Sequence, residues 1–179
     1  MDAKLSRWLW LFKWLLIIPH LIVVGLLCIG AAVAVVIAWF TILFTGKYPV
    51  SLFDFVVGVV RWSWRVNFYS YGMLSTDKYP PFSMDAGNYP ADFTVVKPGE
   101  LNRVTTLLRL ILALPQMVIV YIFSRVIGLL VFVAALVLLF TGTYPQGLYN
   151  INMGINRWMM RVTGYLLLLT DKYPPYSVD

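Results

Sequence analysis

Arg61 and Arg65 stand four residues apart, as do Arg157 and Arg161, and in each place a tryptophan, Trp62 or Trp158, follows the first arginine. On a helix this spacing projects two guanidinium forks from one face. Such forks recognise the paired oxygens of carboxylates and phosphates, while tryptophan favours the boundary between water and hydrocarbon. The combination describes a site for anionic lipid headgroups, with Arg61, Trp62, Arg65, Arg157, Trp158 and Arg161 as its candidate residues. The structural alternative is that the arginines cap carbonyls, or pair with Asp77 and Asp171, and anchor their helices.

The two arginine pairs correspond because the chain is written twice. A shift of 96 positions places Arg7 on Arg103, Pro19 on Pro115, Gly46 on Gly142, Tyr48-Pro49 on Tyr144-Pro145 and Arg61-Trp62 on Arg157-Trp158. The register slips by two residues only before the closing phrase, TDKYPPFSMD from Thr76 and TDKYPPYSVD from Thr170. This is a tandem duplication. It divides the chain into a first membrane repeat over 1–85, a polar connector over 86–100 and a second membrane repeat over 101–179.

Other chemistry is sparse. His20 is the single histidine and its repeat partner is Gln116, so a paired metal or haem site is not expected. Asp54, the nearest carboxylate that could work with Asp77, becomes Asn150 in the second copy. No Cys-His cluster, Walker-type glycine loop or Ser-His-Asp set is visible, which implies no enzyme, no cofactor and no metal. Cys28, the only cysteine, can form no internal disulfide and reads as a small buried hydrophobe.

The elements that must position the arginines follow from composition. Hydrophobic residues make up 60% of the 179, charged residues only 12%, and mean hydropathy is +0.78, which excludes an ordinary soluble domain. The net charge of +6 flanks apolar segments, so anionic lipid is the expected partner and nucleic acid is not. A cleavable secretory signal is not expected, because the apolar run recurs in the second copy. In each copy a long apolar stretch leads to a turn, Gly46-Lys47-Tyr48-Pro49 or Gly142-Thr143-Tyr144-Pro145. There glycine can end a helix with positive φ and proline can begin the next. A single helix from Leu5 to Phe44 would be about 60 Å long, twice the hydrocarbon thickness, so a hairpin reversing near Cys28-Ile29-Gly30 and Ser124-Arg125-Val126 is expected. The polar segment after each turn reads as an amphipathic helix lying in the headgroup plane. Matched Lys and Arg positions give both copies one orientation, with the basic face cytoplasmic.

The closing phrases supply turn chemistry. Asp77, Tyr79 and Pro80, like Asp171, Tyr173 and Pro174, are expected to stop the preceding helix, Thr-Asp by local hydrogen bonds and Pro-Pro by its fixed backbone. With TGKYP and RWxxRV, TDKYPPFS resembles a bacterial membrane-protein family of unknown function whose members show a YP turn, an Arg-Trp pair and a DxYPPF close. The resemblance covers essentially the whole chain, twice, and implies a bacterial integral membrane protein with no catalytic residue to carry over. Thr143 in place of Lys47 and Tyr176 in place of Phe82 depart from the first copy.

The fold expected is therefore all-α integral membrane, with two tandem repeats, each a long apolar helical hairpin followed by an amphipathic in-plane helix. The function expected is a non-enzymatic accessory or scaffolding subunit in the bacterial inner membrane. It binds anionic lipid and packs against a larger membrane complex or a second copy of itself. A carrier or enzyme for a lipid or apolar substrate held between the repeats is one alternative, and a membrane-shaping wedge is another.

Overall fold

The computed structural model describes residues 5–177. These residues are helical and contain no strand: α1 is Trp10–Leu16, α2 Ile18–Thr45, α3 Val50–Tyr69, α4 Arg103–Thr141 and α5 Gln146–Leu166. The connector carries no regular element but is laid down in order, with Tyr89 and Ala91 buried and the Tyr89 hydroxyl donating to the Lys78 carbonyl at 2.9 Å.

Both expected turns form. Gly46 at φ 75° and Gly142 at φ 73° take the left-handed conformation, and their N–H groups close onto the carbonyls of Ile42 and Leu138. Pro49 and Pro145 then hold extended backbone at the start of α3 and α5. Tyr48 and Tyr144 are buried between the helices so joined, and burial pushes the Tyr48 phenol up to about 12.

The hairpins do not form. α2 runs unbroken through Cys28-Ile29-Gly30 and α4 through Ser124-Arg125-Val126, giving rods of 28 and 39 residues, about 42 and 58 Å long. Gly25, Gly30 and Gly128 each weaken a helix by about 1 kcal/mol relative to alanine but cannot end it without positive φ or a proline. Ser124 donates its hydroxyl to the Tyr121 carbonyl at 2.7 Å and so stays within its own turn. Proline falls instead near the start of each rod. Pro19 opens α2 just after the break at Ile17, whereas Pro115 is carried inside α4. Cys28 is exposed rather than buried, because this part of α2 turns outward.

The two rods are antiparallel. Leu101 donates its N–H to the Gly46 carbonyl at 2.8 Å, and Trp39 donates its indole N–H to the Thr106 carbonyl at 3.1 Å, so the end of α2 meets the start of α4. At the opposite end Arg7 reaches the Thr141 carbonyl at 3.5 Å, so the residues before α1 meet the end of α4. Each copy therefore caps the other across an approximate twofold axis.

Apolar plugs are exchanged in the same way. Leu101, Leu168 and Leu169 of the second copy enter the core between α2 and α3, where Ala31, Ala34, Ala38 and Ile42 face Phe53, Val56 and Val60. Leu5 and Leu74 of the first copy enter the core between α4 and α5, beside Val131, Ala134, Leu138 and Ile155. Leu74 at φ 49° and Leu168 at φ 65° are the two described non-glycine residues with positive φ. A left-handed leucine costs about 1–2 kcal/mol, which the buried side chain offsets.

α3 is not a surface helix with one apolar face. Val56 to Val60 are buried without interruption, because α2, α5, the connector and the Leu168-Leu169 plug enclose it. α5 keeps an outer polar side at Asn150 and Arg157. The outward faces of the rods are apolar except at Ser124 and Arg125 of α4: Ile22, Leu26, Ile29, Val33, Val36 and Phe40 are exposed on α2, and Leu107, Leu114, Val118, Leu129, Phe132 and Leu136 on α4. Both rods are long and apolar enough to cross a membrane.

Candidate anion and lipid site

The arginine pairs lie where helical spacing puts them, but most of their hydrogen-bonding capacity is used inside the molecule. Arg61 donates to the carbonyls of Phe93 at 3.1 Å and Met84 at 2.8 Å and pairs with Asp92 at 2.8 Å. Arg65, 1% exposed, donates to the carbonyls of Ser83 at 3.3 Å and Asp85 at 2.7 Å and lies 3.5 Å from the same Asp92 oxygen. In the second copy Arg161 donates to the Ser177 carbonyl, the counterpart of Ser83. Trp62 and Trp158 are buried, and their indole N–H groups donate to His20 Nδ1 at 3.0 Å and to the Pro175 carbonyl at 2.9 Å. The expectation that all six residues face headgroups is corrected for Trp62, Arg65 and Trp158, which the closing phrases cover. Arg157 differs from the rest. It is exposed and makes no ion pair or hydrogen bond among the described residues.

The closing phrases do not stop helices either. α3 ends at Tyr69 and α5 at Leu166, before Thr76 and Thr170, and the left-handed Leu74 and Leu168 reverse the chain there. The phrase instead straps the first turns of its own copy's long helix. Asp77 pairs with Lys13 at 3.1 Å and accepts the Ser6 N–H at 2.5 Å, while Lys13 also donates to the Thr76 carbonyl at 2.6 Å. In the second copy Asp171 pairs with Arg109 and accepts the Asn102 N–H at 2.6 Å, while Arg109 donates to the carbonyls of Tyr165 and Thr170, each at 2.8 Å. Lys13 and Arg109, each 2% exposed, also lie over the rings of Tyr69 at 4.6 Å and Tyr165 at 4.5 Å. A buried cation thus has a carboxylate, a carbonyl and an aromatic face.

About two helical turns further in, the prolines of the phrase cover a second polar residue. Gln116 donates to the Pro174 carbonyl at 2.8 Å, and its counterpart His20 is fully buried and stacked on Phe82 at 3.9 Å between centroids. Tyr79 donates its hydroxyl to the Leu16 carbonyl at 2.9 Å. His20 therefore sits in an aromatic cage, and no group of three metal-ligating side chains occurs among the described residues. The shift of 96 positions places Lys13 on Arg109, but the sequence pattern does not join either to an aspartate. The usable signal was a cation recurring in an apolar run with one carboxylate recurring later in the same copy.

A cavity of about 680 Å³ opens where the connector, α3, α5 and the second closing phrase meet. Trp64, Phe68, Phe93, Met153 and Met160 supply apolar lining, and Arg157, Arg161 and Lys172 supply basic lining. Asp92, also at its edge, is the carboxylate already held by Arg61 and Arg65.

An all-helical pair of interlocked repeats, strapped by DKYPP phrases onto long apolar rods, is the class of protein these features define. Residues 7–84 and 103–177 each match the family described as Domain of unknown function (DUF4389), and the chain belongs to that family, present in two copies. No curated protein and no solved structure matches the chain.

Proposed function

We propose that this is a non-enzymatic membrane protein that lies along one leaflet of a bacterial inner membrane, binds anionic lipid and serves as an accessory or scaffolding subunit. The observation that carries the reading is the placement of charge along two antiparallel apolar rods. Arg125 lies near the middle of α4, its guanidinium 5.2 Å from the Tyr121 ring, and Arg157 lies midway along α5; both are exposed. Standing upright, the rods would carry these arginines to the hydrocarbon centre, at about 2.5–3.5 kcal/mol each or more. A rod of about 58 Å would also overrun a core of about 30 Å.

Lying flat keeps the rods within one leaflet, and Arg125, which shares the exposed face of α4 with Leu129 and Phe132, then has only the near headgroups to reach by extending its side chain. The exposed leucines, valines and phenylalanines of α2 and α4 enter the hydrocarbon, while α5, the connector and the closing phrases remain on the wet side. The twofold axis then stands along the membrane normal, so matched Lys and Arg residues share one side without any hairpin. Lys47, Lys78 and Arg103 are exposed and available to headgroups around the rim. The apolar area left uncovered at the rods is of the kind that receives a membrane partner or a second copy.

The test is side-specific labelling of single cysteines at Lys47 and Thr143 in a Cys28→Ser background. These positions lie at opposite ends of the rods. In the flat arrangement both react with a membrane-impermeant maleimide from the cytoplasmic side; reaction from opposite sides would show that the rods cross and overturn the proposal.

A further inference from the structure

The two copies differ at one place in a way that creates a site. In the first copy the Arg61-Arg65 fork holds the Asp92 carboxylate, which the connector delivers. The corresponding Arg157 holds no carboxylate among the described residues and borders the 680 Å³ cavity, together with Lys172. The repeat register explains the space. Phe68 of the first copy corresponds to Gly164, and Trp64 to Met160, so the second copy brings a glycine and a methionine to the cavity where the first brings two aromatic side chains. A Cβ placed on Gly164 would meet only the Phe93 ring, at 4.0 Å.

We propose that this cavity binds a single-chain amphiphile with a carboxylate head, the head on Arg157 and Lys172 and the tail against Trp64, Phe68, Met153 and Met160. The cavity volume falls within the range of small-molecule sites, roughly 300–1,000 Å³. Its wall is apolar, and its one carboxylate is neutralised by Arg61 and Arg65. The anion preference has an internal precedent, because the same fork in the first copy is occupied by a carboxylate. Arg161, tied to the Ser177 carbonyl, contributes field rather than a free donor. This inference concerns the wet side of the molecule and stands apart from how the rods meet the bilayer.

The probe is 11-bromoundecanoate, added to the full chain in neutral-lipid nanodiscs. Saturable quenching of the Trp64 fluorescence is read as the difference from a Trp64→Phe variant, and stoichiometry is read by native mass spectrometry. The site predicts one probe per chain. It also predicts binding about tenfold or more weaker in Arg157→Gln with Lys172→Gln, as expected for losing charge-assisted hydrogen bonds. Gly164→Leu, which fills the cavity and removes no charge, should abolish the saturable component. Retained helical circular dichroism in the variants separates loss of the site from loss of the fold. Equal binding of 11-bromoundecanol, tighter binding of dodecyl phosphate in competition, or unchanged binding in both the double variant and Gly164→Leu would each overturn the assignment.

Discussion

Lys13 and Arg109 are cations sealed against their own helices, and their partners Asp77 and Asp171 are the residues on which that sealing depends. Removing the carboxylate takes the ion-pair partner from a buried charge. Asp77→Asn and Asp171→Asn should each lower stability by about 2 kcal/mol, read from thermal unfolding in mild detergent. Combining Lys13→Met with Asp77→Asn should cost less than the two single changes added together, because the double variant strands no charge. Arg65 is equally committed, to Asp92 and two carbonyls. Arg65→Gln should lower the unfolding temperature while leaving the anionic lipid retained in native mass spectrometry unchanged, whereas Lys47→Gln with Lys78→Gln should do the reverse. The arginines were visible in the sequence as a pair with helical spacing. Their partners were not, because carbonyl oxygens occur at every residue and leave no mark in a side-chain pattern.

At the scale of elements, what local chemistry dictates was legible and what distant packing dictates was not. The glycine stops at Gly46 and Gly142 and the proline starts at Pro49 and Pro145 stand as the sequence implies, since each needs only its own backbone. The reversals expected at Cys28-Ile29-Gly30 and Ser124-Arg125-Val126 rested on bilayer thickness, and helices of this length avoid that constraint if they lie flat. The stop assigned to TDKYPP falls instead to Leu74 and Leu168, whose left-handed conformation a leucine rarely adopts and no sequence pattern announces. The glycine stops carry a test. Alanine at either position pays about 1–2 kcal/mol for positive φ. A Cβ at Gly142 would also lie 2.6 Å from Arg7 Nε, against 3.7 Å from Arg103 Nε at Gly46. The Arg7 guanidinium is the far end of an exposed, flexible side chain and can move aside, so Gly46→Ala and Gly142→Ala should lower the thermal unfolding temperature by similar amounts.

The whole molecule is closed by exchange: Leu5 and Leu74 pass one way, Leu101 and Leu168 the other, and each start caps the opposite rod. A repeat over 1–85 or 101–179 is legible in the sequence, but this sharing is not, because each plug carries the same pattern whether it fills its own core or its neighbour's. Cutting the chain at Lys97-Pro98 and expressing both pieces together should yield a co-purifying complex with the helical content of the intact protein. Either piece alone should dimerise or aggregate. A polypeptide bearing one such repeat would find its missing cap and plug only on another molecule. The duplicated gene thus reads as a homodimer made permanent, and the linkage freed the two halves to differ, so that Phe68 of one half and Gly164 of the other face a single cavity.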